Sequence, residues 1–290
     1  MSIVITGANG SVGTDLVKKL SIKHKVFAIY RRKNIEVKNL PNVKWIKHNL
    51  KNEIETVFRP KPQIIIHCAV DQKPSKTKNI HKYIQSNFII LQNILKFAKK
   101  NSAKLIVNFS SIEAYGKIGV NFLNENYYEQ NRNTYGTTKF ISEKFLLLDK
   151  VNFINLRLPG ILCEPKNKNF KRPWLSKIIN RISNNENIKV HNINTKFNNI
   201  TSTEEIAGFI EYLLKNTVSI RDTFNFVSQK PIILKEVFQI AKKKLESRSK
   251  IISITSNEKE SFYISARKLE QKLKYKTQST KNILIKYLNN

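Results

Sequence analysis

Residues 2–13 read Ser2-Ile3-Val4-Ile5-Thr6-Gly7-Ala8-Asn9-Gly10-Ser11-Val12-Gly13, a β-branched run that passes straight into three glycines spaced G-x-x-G-x-x-G. An apolar-periodic stretch follows through Leu16, Val17 and Leu20. The pattern predicts a strand, a tight turn and the start of a helix. Glycine lets the backbone approach a diphosphate with no Cβ in the way, and a helix N-terminus offers N–H groups and the positive end of its dipole. A chain built this way is constrained to begin a doubly wound α/β sheet, with a dinucleotide expected against Gly7, Asn9, Gly10, Ser11, Val12 and Gly13.

With 290 residues, 40% of them apolar and 25% charged, the chain has the length and composition to bury a substantial core as one large or two modest domains. No apolar run is long enough to span a membrane, and the N-terminus lacks a charged segment followed by an apolar stretch, so a cytoplasmic protein without a signal peptide is expected. Cys68 and Cys163 are the only two cysteines and form no C-x-x-C. Neither a disulfide scaffold nor a zinc site is expected. The formal net charge of +31 has two readings. It fits a nucleic-acid partner, or it reflects a Lys-, Asn- and Ile-rich composition with attraction to small anions. The lysines are dispersed and no RNA-binding aromatic motif accompanies them, so the second reading is preferred.

Short apolar runs at 2–6, 25–30, 43–47, 63–69, 103–109 and 151–157 read as strands. Helical patterns at 12–20, about 79–100 and about 126–149 lie among them, and this alternation predicts a parallel sheet covered on both faces. After residue 158 the chain turns loop-rich, with Pro159, Pro165 and Pro173. Helical patterns recur at 174–184, 203–215, 233–246, 266–273 and 280–288, with strands near 188–191 and 223–227. The expected organisation is a dinucleotide-binding domain over 1–157 and a smaller α+β substrate lobe over 158–290, interleaved at their boundary.

Tyr135-Gly136-Thr137-Thr138-Lys139 falls within a helical pattern, where i, i+4 spacing puts Tyr135 and Lys139 on one face. A nearby ammonium favours the phenolate and lowers the tyrosine pKa, one route to a general acid/base. Some 25 residues upstream, Ser110-Ser111 ends a strand, and ligands bind at the carboxyl ends of parallel strands.

These motifs together resemble an extended short-chain dehydrogenase/reductase of the NAD(P)-dependent epimerase/dehydratase superfamily, over nearly the whole chain. Thr6 to Gly13 is similar to its T-G-x-x-G-x-x-G, and Ile66-His67-Cys68-Ala69 to its H-x-A segment. Asn87-Phe88 with Leu91-Gln92-Asn93-Ile94-Leu95 resembles N-x-x-G-T-x-N-L-L, with Ile90 and Leu91 replacing the Gly and Thr. Ser110-Ser111-Ile112-Glu113-Ala114-Tyr115-Gly116 resembles S-[ST]-x-x-V-Y-G, and Leu156-Arg157-Leu158-Pro159-Gly160 resembles L-R-x-x-N. The resemblance implies a Rossmann-like fold and hydride transfer on a nucleotide-activated sugar by a 4-ketoreductase or a 4-epimerase. It assigns Ser111 to polarising the substrate, Tyr135 to proton transfer, and Lys139 to the nicotinamide ribose and to tuning Tyr135. It further implies cofactor contacts from Tyr30, Asn49, Leu50, His67, Cys68, Ala69, Asn87 and Pro159. Ser111, Tyr135 and Gly160 would face the substrate, and relatives often form homodimers.

Departures from the pattern narrow the reaction. Ile112 and Glu113 stand where family dehydratases carry Asp-Glu, so one of the two groups that dehydration needs is missing. Gly160 replaces an Asn that contacts substrate phosphates in many relatives. The second strand ends in Tyr30-Arg31-Arg32-Lys33 without the acidic residue that usually meets the ribose of NAD. Arg31 and Arg32 suit a 2′-phosphate, so NADP is preferred over NAD and an exchanging reductase over an epimerase. In the second lobe Arg172, Trp174, Lys177, Asn198 and Asn199 are candidate substrate contacts. The alternative function is a non-catalytic dinucleotide-binding regulator or an RNA-associated scaffold.

Overall fold

The computed structural model describes residues 1–31, 40–71, 80–127, 132–164, 174–216, 219–254 and 262–289. Five parallel strands build the first part of its main sheet: β1 (Ser2–Thr6), β2 (Lys25–Tyr30), β3 (Val43–Lys47), β4 (Ile64–His67) and β5 (Leu105–Ser111). With β6 (Phe153–Leu158) and β7 (Arg221–Asn225) the order is β7-β6-β5-β4-β1-β2-β3. Chain order runs outward in both directions from β1 and β4. Between β1 and β2 comes α1 (Ser11–Leu20), and between β4 and β5 comes α2 (Ile80–Lys100). Right-handed crossovers that run in opposite directions place these helices on opposite faces. The switch between β1 and β4 is therefore where such a sheet opens a ligand crevice.

The core follows from strand alternation. Val4, Phe27, Ile65 and Ile106 pack with Ile90, Leu91, Ile94 and Ala98, the apolar stripe of α2. Leu16, Val17 and Leu20 of α1 are fully buried. A third helix, α3 (Thr134–Leu147), adds Leu146 to the first cluster.

The chain divides into two compact units. One comprises Met1–Gly116, Glu129–Arg157 and Ala207–Phe224; the other comprises Lys117–Tyr128, Leu158–Ile206 and Asn225–Asn290. A single cut near residue 158 does not describe this division, because 117–128 joins the second unit and 207–224 returns to the first. The second unit has its own core, in which Leu175, Ile179 and Ile182 meet Val237, Phe238, Ile283 and Leu284. Its short ladders join Ile251–Ile254 to Ile188–His191 and Ile200–Ser202 to Gly160–Leu162.

Most element positions match the sequence reading, with two informative shifts. The strand expected at 103–109 runs on to Ser111, because Ser110 and Ser111 are themselves buried at its end. The helix expected from about 126 begins at Thr134, where the Asn133 side chain accepts the Gly136 N–H at 2.8 Å and caps it.

Candidate active site

The glycine turn is held closed by its own backbone: Gly7 O accepts Gly10 N–H at 2.9 Å, and Gly10 O accepts Thr14 N–H at 2.8 Å. Gly7 has φ +66°, and a Cβ there would stand 2.9 Å from the Ala69 backbone. At Gly13 a Cβ would stand 2.2 Å from Gly7 O. Both positions are closed to any other residue. No side chain caps α1, and its first turn carries no acidic residue. The cradle therefore presents backbone and the positive end of a helix dipole, which fits a diphosphate.

At the neighbouring strand end, Thr6 and His67 are register partners. Thr6 Oγ1 accepts the Ala69 N–H at 3.3 Å and shares a 2.9 Å hydrogen bond with His67 Nδ1. His67 is 5% exposed. Burial, and then the Lys139 charge, lower its pKa to about 3, so its imidazole is neutral at physiological pH. An unfolded chain takes up this proton as pH falls through the ordinary histidine range, whereas the folded chain does so only near pH 3. His67 therefore costs stability progressively as pH drops through that window. Urea denaturation of the native chain and His67→Gln from pH 7 to pH 4 should show the native chain losing more stability over the interval. Parallel pH dependences would refute this assignment. Cys68, beside it, has its thiol pushed up by burial and is not poised as a thiolate.

The Ser111, Tyr135 and Lys139 side chains meet within the first unit. Ser111 Oγ accepts the Glu113 N–H at 3.2 Å and hydrogen-bonds the Tyr135 phenol. Lys139 Nζ donates to the Phe109 carbonyl at 2.6 Å and lies 5.7 Å from the Tyr135 ring centroid. Burial lowers the Lys139 pKa to about 8, opposed by the Glu143 carboxylate. The expected depression of Tyr135 is not what the structure gives. Burial pushes the phenol upward, the Glu113 and Tyr83 charges add to it, and only the Ser111 hydrogen bond opposes. One Lys139 N–H is engaged at the Phe109 carbonyl, and Tyr135 stays protonated at neutral pH.

Residues given no role in the sequence reading build this corner. Gly136 is needed because a Cβ there would stand 2.1 Å from the Glu113 carbonyl oxygen. Asn133 Nδ2 donates to Glu113 Oε2 at 2.7 Å, seating α3 against the turn after β5. Glu143, two turns beyond Tyr135, pairs with Arg157 at 2.7 Å, and Ser110 donates to the same carboxylate. Arg157 lies over the Tyr115 ring at 4.2 Å. The sequence signal was available: Tyr135, Lys139 and Glu143 continue one i, i+4 row, and a buried acid in such a row needs a cationic partner.

The remaining expected contacts divide. Tyr30 packs edge-on to Trp45 with centroids 6.0 Å apart, and Asn49 is exposed with Oδ1 on the Lys51 N–H. Leu50 belongs to the core, and its carbonyl accepts from Asn93. Asn87 uses Oδ1 to accept the Asp71 N–H at 2.7 Å and Nδ2 to donate to Tyr83 O, so it orders the chain after β4. Arg31, expected at a 2′-phosphate, instead donates to Asp71 at 3.1 Å. Arg32 and Arg172 lie outside the described residues. In the second unit Pro159 is buried and Gly160 pairs with Ile200. Trp174 is half exposed and stacks on Phe197 with centroids 5.9 Å apart. Asn198 is not a substrate contact: it is 2% exposed, donates to the Ser228 and Ile264 carbonyls, and accepts the Ile264 N–H. A buried amide with three backbone partners is a structural staple.

No helix among the described residues is long and apolar enough to cross a membrane. The model of the NAD dependent epimerase/dehydratase family matches residues 3–225. CDP-abequose synthase of Salmonella muenchen is 26% identical over 254 residues, covering 86% of this chain and 82% of that protein. D-erythronate dehydrogenase of Haemophilus influenzae is 28% identical over 184 residues, 58% of each chain. Among solved structures, Bordetella bronchiseptica WbmG in complex with NAD and UDP superposes with TM-score 0.78 at 16% identity, covering 99% of this chain and 92% of that one. UDP-N-acetylglucosamine 4-epimerase of Methanobrevibacter ruminantium, in complex with UDP-N-acetylmuramic acid, gives TM-score 0.80 at 18% identity, covering 99% and 97%. These structures share its fold. The family match runs from the first strand through the last strand of the main sheet, and the chain belongs to the NAD dependent epimerase/dehydratase family.

Proposed function

We propose that this protein is a nucleotide-sugar oxidoreductase that interconverts a carbinol and a ketone at position 4 of the sugar, as a ketoreductase or an epimerase. The observation that carries the reading is the meeting of Ser111, Tyr135 and Lys139 in the unit that also forms the glycine cradle. Gly7, Gly10, Gly13 and the N-terminus of α1 would hold a nicotinamide dinucleotide, which when bound would supply hydride exchange at the sugar carbon. Ser111 orients the sugar oxygen by a hydrogen bond. Tyr135, kept protonated by its burial, gives its proton to that oxygen on reduction and recovers it on oxidation. Lys139 places positive charge beside the ring, which favours the phenolate once the proton has left. Glu143 and Arg157 hold the helix row beneath them. The second unit, on the same reading, selects the substrate.

The Salmonella relative is named for a CDP-sugar and the superposed Methanobrevibacter enzyme for a UDP-sugar. Both nucleotide classes therefore belong in the first substrate panel. The test is incubation of the protein with each dinucleotide and with CDP- and UDP-hexoses and their 4-keto forms, followed by nicotinamide absorbance and sugar analysis. A reductase consumes reduced cofactor in proportion to ketosugar. An epimerase converts one 4-epimer to the other with no net change in cofactor. Binding of dinucleotide with no turnover on any sugar would favour the non-catalytic reading.

A further inference from the structure

Arg31 is the first residue after β2, Lys51 follows β3, and Asp71 lies four residues beyond the end of β4. In the sheet β1 stands between β4 and β2, and β3 lies outside β2. Neighbouring strands are about 4.8 Å apart, so the ends of β4 and β2 are separated by roughly 10 Å, with the glycine turn leaving β1 between them. One carboxylate bridges that gap. Asp71 Oδ1 accepts from Arg31 at 3.1 Å, and Oδ2 pairs with Lys51 Nζ at 3.0 Å. The acid is itself fixed, because Ser86 Oγ donates to Oδ2 at 2.7 Å and the Asp71 N–H is held by Asn87. Burial pushes the Asp71 carboxyl up, but hydrogen bonds from Ser86, Lys51 and Arg31 more than offset this and keep it ionised.

We propose that Asp71 sets the choice of dinucleotide: by holding Arg31 and Lys51 it withholds both cations from a 2′-phosphate, and the chain prefers NAD to NADP. The inference rests on the reading of the glycine turn as a dinucleotide site. Two effects act in the same direction. A 2′-phosphate brought to Arg31 must compete with a carboxylate already anchored on α2 through Ser86 and Asn87. It must also approach that carboxylate, and like charges repel. The three side chains are partly exposed, Arg31 38%, Lys51 36% and Asp71 21%, so screening keeps the discrimination modest, about tenfold in affinity.

Equilibrium binding of NAD and NADP to the full chain tests this. The native protein should bind NAD more tightly, and Asp71→Asn should shift the affinity ratio toward NADP by about tenfold. Adding Arg31→Ala to Asp71→Asn should reverse that shift. Arg31→Ala alone gives an independent readout should Asp71→Asn fail to fold: a sequestered arginine contributes little to NADP binding, so its loss should change the NADP affinity less than about threefold. Native preference for NADP, an unchanged ratio in Asp71→Asn, or a loss of NADP affinity of about tenfold or more in Arg31→Ala would each overturn the proposal while leaving the dinucleotide site intact. Failure of the native chain to bind either dinucleotide would overturn both readings.

Discussion

Tyr135→Phe should lose about 10²- to 10⁴-fold in kcat, the range typical for a positioned general acid/base. The substitution removes one oxygen and keeps the ring beside which Lys139 sits, 5.7 Å from its centroid. Ser111 retains the Glu113 N–H as a partner at 3.2 Å. The stability cost should therefore be that of one hydrogen bond, about 1 kcal/mol, too small to unfold the chain. Dinucleotide affinity should stay within about threefold, because the loss falls on proton transfer and not on uniform binding. Kinetics on the best sugar substrate, with dinucleotide titration and urea denaturation of the same preparation, separate these effects. A variant with kcat within about threefold of native would remove Tyr135 from the chemistry.

The second large effect is expected at Glu143→Ala. Glu143 is 2% exposed and Arg157 7%. The carboxylate accepts from Arg157 Nε at 3.0 and 3.3 Å and from Nη2 at 2.7 Å, and Ser110 donates to it as well. Truncation leaves a guanidinium buried without its counter-charge, and breaking such a pair costs about 3–5 kcal/mol. A domain is commonly stable by only about 5–15 kcal/mol, so much of the margin should disappear. Activity should fall further than the folded fraction, because Glu143 stands one turn beyond Lys139 and its charge raises the Lys139 pKa. Glu143→Gln keeps shape and a partner for Ser110 and should fall between native and Ala. Urea denaturation checks the order, and a loss below about 1 kcal/mol in Glu143→Ala would show that the pair is not a buried anchor.

The sequence carried the frame of this protein because its signals there are local. A β-branched run before three spaced glycines has few other folds, and the α2 stripe repeats along its whole length. Tyr135 and Lys139 were legible for the same reason, being one turn apart. What remained hidden depends on partners distant in sequence. Arg31 reads as a phosphate ligand until Asp71, 40 residues on, is seen to hold it. Asn198 reads as a substrate contact until Ser228 and Ile264 are seen to close around it. Helical spacing places the Tyr135 pKa too low, because it reports which side chains are neighbours and says nothing of burial. Burial dominates here, and Lys139 is engaged at the Phe109 carbonyl. Composition marks interleaving only at the 158 boundary, because it carries no sign of the long-range return of 117–128 to the second unit or of 207–224 to the first.

The central claim is that Tyr135 moves a proton to or from a sugar oxygen as hydride is exchanged at the attached carbon. It is tested most directly by a single-turnover mixing experiment in which the dinucleotide-loaded native protein meets a nucleotide-activated hexose or 4-ketohexose. The predicted result is a change in nicotinamide absorbance with the native chain and its near-absence with Tyr135→Phe at equal dinucleotide occupancy. Equal absorbance changes in the two proteins, or none in the native protein across both nucleotide classes, would contradict the account.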